Sequence, residues 1–179
     1  MRRVIVLSVA SLLALSACAG GGGEATTTAQ PASVGSVAVA PVMLSASAYV
    51  AMASSIDLFE VKSAELALQR ASDPSNRAFA ERALRAHKGT SAQLSFAGRR
   101  LNLLPSATLN PEHQAMLDAL GASSDFDRTY RTQQSEVLKK GVKLHSDYAK
   151  SGTSPTLRPV AANAESVMKA NLQALGRSR

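Results

Sequence analysis

The sequence predicts an all-α fold, four long helices closed into a bundle with a short extra helix in the second connection, and three observations point there. Hydrophobic residues make up 45% of the 179-residue chain, yet aromatics reach only 4% and Trp is absent. Alanine supplies much of the apolar share, whereas sheet proteins lean on Val, Ile, Thr, Tyr and Phe. Four segments carry apolar residues at spacings of three, four and seven, the helical period. Those segments are bounded by Ser, Asp and Pro at their starts and by Gly or Pro at their ends.

Residues 1–17, MRRVIVLSVASLLALSA, read as a secretory signal: two arginines, an apolar run, then small residues. The run is too short for a comfortable membrane span. Leu15-Ser16-Ala17-Cys18 closes it and resembles the lipobox of bacterial lipoproteins. The resemblance implies cleavage before Cys18 and lipidation of that residue. With Ala19 next rather than aspartate, it also implies an outer-membrane destination with the domain facing the periplasm. Cys18 is the only cysteine, so no intrachain disulfide forms. Stable anchoring requires more than one acyl chain, since a single chain binds marginally.

Residues 18–44 hold the lipidated cysteine and a linker rich in Gly, Ala, Ser, Thr and Pro. The stretch lacks helical period and bulk, which predicts a flexible tether spanning roughly 28 Å as a coil. Residues 45–179 then form the bundle domain.

The first helix is expected from Ser45 or Ser47 to about Ala71, with Met52, Ile56, Phe59, Glu60, Ser63 and Ala67 inside. It stops at Ser72-Asp73-Pro74, a turn so short that the next helix is its antiparallel neighbour. That second helix has the strongest pattern of the chain. Phe79, Ala80, Ala83, Leu84, His87, Ser91, Leu94 and Leu101 share one side, while Arg77, Glu81, Arg82, Arg85, Lys88 and Arg99 share the other. Pro105 breaks it. Asn110-Pro111 opens a short helix closed by Gly121. The third long helix starts around Ser123 or Ser124, with Asp125 and Asp127 favoured in its first turn by the helix dipole. Its stripe is Phe126, Tyr130, Gln133, Val137, Leu138, Gly141, Leu144 and Tyr148, which leaves His145 beside the stripe. Gly152 ends it. Ser154-Pro155 opens the fourth, with Leu157, Val160, Ala164, Val167, Met168, Asn171, Leu172 and Leu175 inside.

The formal charge is +7, or +5 without the signal and its Arg2 and Arg3. An export signal and too few aromatics for base stacking argue against nucleic acid. The membrane, reached through the anchor at Cys18, other envelope proteins and an anionic envelope surface are the partners this balance suits.

Phe59-Glu60-Val61, then LALQRASDPSNRAFAERALRAH through His87, then Asp125-Phe126-Asp127-Arg128-Thr129-Tyr130 resemble a widespread bacterial domain-of-unknown-function family, number four-one-four-two. The resemblance covers about Ala46 to Leu175. It implies an exported protein with a ferritin-like four-helix bundle, and it implies no activity. Members often show a glutamate in the first long helix and a histidine in each of the other three. Glu60 and His87 match that pattern, whereas Leu138 and Asn171 stand at the other two positions.

A carboxylate-bridged dimetal centre needs Glu-x-x-His on two helices, and the chain contains no such spacing. Glu112 and His113 are adjacent and point about 100° apart. No metal and no cofactor is therefore expected, nor does any nucleophile elbow, phosphate-binding glycine loop or zinc spacing occur. No catalytic residue is assigned, and the chain is read as non-enzymatic. What remains is a pair. Counted from the turn at Ser72-Asp73, Glu60 and His87 lie within roughly 3 Å of the same height and both face inward. This predicts a Glu60–His87 hydrogen bond, with Asn171 as a neutral third member. The set is either a ligand or proton-handling site or a buried polar pair that fixes helix register.

Overall fold

A computed structural model describes residues 43–177. The signal at 1–17, Cys18 and nearly all of the linker lie outside the described residues. The helices are α1 (Ala46–Arg70), α2 (Pro74–Arg99), α3 (Pro111–Ala122), α4 (Phe126–Ser151) and α5 (Arg158–Arg177), and no strand occurs among the described residues.

Local sequence sets each start. The Ser45 side chain accepts from the Ala48 amide and Asp73 from the Ser75 amide, with Pro74 in the first turn of α2. Asn110 accepts from His113 and Asp125 from Arg128. These caps satisfy amides that the helix itself leaves free. The long helices pack as a ring in which α1 touches α2 and α4, and α5 touches α2 and α4. Tyr49 meets His145, Ser63 meets Gln134 and Ser72 meets Asp127, so α1 and α4 run antiparallel. Since α2 is antiparallel to α1, α2 and α4 run the same way on opposite corners. The connection between them must therefore travel the length of the bundle, and α3 lies in it. This single long crossover is the ferritin-like arrangement.

The crossover is pinned to α1. Ser55 Oγ accepts from the Asn110 amide at 2.9 Å and shares a hydrogen bond of 2.8 Å with His113 Nδ1. The Gln133 amide donates to Met116 O at 2.8 Å. The turn between α1 and α2 is fastened to the start of α4 by Asp127. Its carboxylate accepts from the Ser72 amide and hydroxyl, the Asp73 amide and the Asn76 side chain. Arg70 donates to the Gly121 carbonyl and lies over the Phe126 ring.

Three sequence expectations are corrected. Met52 is half-exposed rather than inside, because α1 is covered by α2, α3 and α4 at Ala53 to Asp57, which turns Met52 outward. Leu101 lies beyond α2, which stops at Arg99; Asn102 then takes a left-handed conformation at φ 54°, as Asn tolerates. Regular helix in α5 begins at Arg158. Pro155 to Leu157 form a preceding turn, in which the Leu157 and Arg158 amides donate to Ser154 O.

Gly141 on α4 faces Met168 of α5 and Ile56 of α1. A Cβ there would run into the Met168 thioether and meet Ile56. Gly141→Val is therefore expected to lower unfolding free energy by about 2 kcal/mol in urea titrations, and Met168→Ala in the same chain to restore part of it. An unchanged midpoint would contradict this packing.

Candidate functional site

Halfway along the bundle, polar side chains from all four long helices meet in the interior. Asp57 and Glu60 come from α1, one turn apart. His87 and Thr90 come from α2, Tyr130 and Gln134 from α4, and Asn171 from α5. All are buried, and His87 and Glu60 are wholly so.

His87 Nδ1–H donates to Asp57 Oδ1 at 2.9 Å, and Thr90 Oγ1 donates to the same oxygen at 2.7 Å. On the other side of the ring, Asn171 Nδ2 lies 3.2 Å from His87 Nε2. Arg82 Nε donates to Asn171 Oδ1 at 3.1 Å, which turns the Asn171 amino group toward the imidazole. Neutral His87 thus carries its proton on Nδ1 and accepts from Asn171 at Nε2. A second proton at Nε2 would lose the Asn171 bond and face Glu60 instead.

The expected Glu60–His87 hydrogen bond is absent. Glu60 Oε2 stands 3.9 Å from Nε2, close enough for charge attraction but beyond hydrogen-bond reach. The height arithmetic brings the two residues together. Asp57, one turn earlier and reaching the opposite ring nitrogen, makes the bond instead. Both Glu60 oxygens are buried without a hydrogen-bond partner among the described residues, and so are Tyr130 Oη and Gln134 Oε1. The Gln134 amino group donates to Ser63 Oγ at 3.0 Å. Burial pushes the Glu60 carboxyl up to about 7; His87 and Gln134 oppose that rise and Asp57 adds to it. Burial also opposes charge on His87, but the Asp57 hydrogen bond and the Glu60 and Asp57 charges outweigh it and raise its pKa.

His145 was expected beside the stripe and is buried inside it. Its Nδ1 shares a hydrogen bond of 2.9 Å with Tyr49 Oη, and Tyr49 stacks on Tyr148 at 3.8 Å between centroids. Burial lowers its pKa to about 4, so it is neutral near pH 7. His145 follows Gly141 by four and precedes Tyr148 by three, a spacing that could have revealed it. Leu138 is a core residue. Glu112 faces solvent and pairs with Lys140, while His113 turns inward.

A family model described as "Domain of unknown function (DUF4142)" matches residues 29–177. The chain belongs to this family. Two solved structures share the fold of this DUF4142 chain. CopM in the Cu(II)-bound form is 18% identical, with 75% of this chain and 95% of that chain covered at a TM-score of 0.63. CopM in the Ag-bound form is 16% identical over the same coverage, with a TM-score of 0.61. No curated protein sequence matches the chain.

The buried acids and bases give DUF4142 folding here a defined pH signature. Folded Glu60 titrates near 7 and the unfolded carboxyl near 4.5. The folded chain therefore holds an extra proton in that window. This contribution to stability is full below about pH 4.5 and lost as pH rises through 7. His145, lowered from 6.5 to about 4, acts in reverse: its contribution is lost as pH falls through that range. Glu60→Gln isolates the first effect. Its stability relative to the native chain should rise by about 3 kcal/mol between pH 4.5 and 7 in urea unfolding, and a pH-independent difference would contradict the assignment.

Proposed function

We propose that the chain is a non-enzymatic outer-membrane lipoprotein, cleaved before Cys18, acylated there, and carrying its helical domain on the linker into the periplasm. The domain contacts other envelope components through its helix surfaces. The observation that carries the non-enzymatic reading is the way His87 is held. His87 is fully buried, with Nδ1 bonded to Asp57 and Nε2 facing Asn171. A histidine engaged at both nitrogens and shielded from solvent fixes helix register rather than offering itself to a substrate.

A second reading, binding of a metal ion or small molecule through Glu60, His87 and Asn171, is favoured by one observation: the two Glu60 oxygens that no group among the described residues satisfies. CopM, whose structures carry Cu(II) or Ag, has the same fold. The donors in this chain do not fit such an ion. Both His87 nitrogens are engaged, the Arg82 guanidinium donates to Asn171, and no three His, Cys, Asp or Glu side chains converge on one point among the described residues.

Mass spectrometry of the amino-terminal peptide after expression in a lipoprotein-processing bacterium tests the first reading. A diacylated or triacylated Cys18 is expected, with the chain held in outer membranes through a high-salt wash and Cys18→Ser released by it. An unmodified Cys18 would contradict it. Stoichiometric metal in the same preparation, lost in His87→Gln, would favour the second reading.

A further inference from the structure

The two ends of the bundle differ in chemistry. At the end built from Arg70, Ser72, Asp73, Asn76 and the start of α4, acidic and basic residues alternate. Residues 65–82, 118–131 and 169–177 carry six acids and seven bases. Asp127, Asn76 and Arg131 cross-link that end, with Arg131 donating to Asn76 Oδ1 and to the Leu175 carbonyl.

The opposite end is formed by the start of α1, the end of α2, the end of α4 and the start of α5. Its interior is Tyr49, Val50, Leu94, Ala97, Tyr148, Leu157 and Ala161. Residues 43–56, 89–104 and 148–164 contain Arg99, Arg100, Lys150 and Arg158 and no Asp or Glu. All four cations are exposed and none forms a salt bridge among the described residues; Asp147 and Glu165, flanking the third stretch, lie within electrostatic reach of Lys150, whereas no acid is paired with Arg99, Arg100 or Arg158. The large hydrophobic side chains exposed among the described residues all lie on these stretches: Met43 at 53%, Met52 at 46%, Phe96 at 64% and Leu104 at 75%. Phe96 and Arg100 also line an open groove with Pro159 and Val160 between α2 and α5. Met43, where the chain from Cys18 joins the described residues, belongs to the same end.

We propose that this end of the bundle docks on an anionic lipid surface, with Phe96 and Leu104 inserting at headgroup level and Arg99, Arg100, Lys150 and Arg158 contacting lipid phosphates. Exposed apolar side chains on the same stretches as an excess of cations match the two components of such a surface: acyl boundary and negative charge. Each basic residue near an anionic leaflet strengthens binding severalfold, and the attraction weakens with salt. The proposal rests on the lipoprotein reading only for delivery of the domain to a membrane. Once the tail is held there, docking becomes an intramolecular event at high effective concentration.

The test uses residues 18–179 with Cys18→Ser, which retain the compact unit from Ala40 onward without an acyl chain. Its sedimentation with vesicles of phosphatidylethanolamine and 30% phosphatidylglycerol is compared with that on pure phosphatidylcholine vesicles. Binding to the anionic vesicles is expected, falling more than about tenfold in Arg99→Glu/Arg100→Glu and again in Phe96→Ser/Leu104→Ser, and weakening as salt is raised. All four substituted side chains are exposed, so thermal melts by circular dichroism should match the parent chain. Absence of binding, equal binding to phosphatidylcholine, or unaffected binding in both folded variants would overturn the proposal. Concentration-dependent dimerisation lost in the same variants, without vesicle binding, would also overturn it and give this end to a second copy. Because the tested chain has no anchor, a failure here leaves Cys18 acylation standing, and an unmodified Cys18 in cells leaves the vesicle result standing.

Discussion

The hydrogen bond from His87 to Asp57 ties together the two helices of the first hairpin at the point where polar groups of all four long helices converge. A carboxylate and an imidazole taken out of water are tolerated only when each is paired. Thr90 completes the Asp57 side, and Asn171, held by Arg82, completes the His87 side. Sliding α2 by one turn against α1 would set Ala83 or Ser91 opposite Asp57 in place of His87, leaving its buried carboxylate without the imidazole. The network thus specifies one register among several that the small alanines and serines of the seam would otherwise allow. Glu60 sits beside this network without a hydrogen bond of its own and responds as physics requires, by holding its proton toward neutral pH.

Around that centre the bundle separates its chemistry along its axis. One end is closed by Asp127 and its donors together with Arg131, a set of polar contacts that cross-link helix termini. The other end leaves Phe96 and Leu104 in solvent on stretches that carry Arg99, Arg100 and Arg158, which form no salt bridge among the described residues. The proposed docking on lipid uses that second arrangement.

Much of this architecture was legible in the residues. α2 and α4 each have one clear apolar stripe, and Asp73-Pro74 and Asn110-Pro111 start helices where such residues normally do, whereas Asp125, expected inside the first turn of α4, is its cap. Counting from the short turn brought Glu60 and His87 to one height, and Asn171 joined them. What the residues concealed has a physical cause. α1 is covered by three neighbours, so its buried face is too broad to show a stripe, and Asp57 reads as a surface acid until the crossover and α2 enclose it. Tertiary enclosure also buries His145 and His113, whose partners Tyr49 and Ser55 come from α1 at sequence separations of 96 and 58. No local pattern carries that information.

Asp57 and His87 act as one unit, and a double-mutant cycle of Asp57→Ala, His87→Ala and the double variant in urea unfolding at neutral pH measures it. Each single substitution leaves a buried partner unanswered, so single losses of about 3 kcal/mol are expected, with a double variant that loses far less than their sum, a coupling of at least about 1.5 kcal/mol. Additive losses would contradict it.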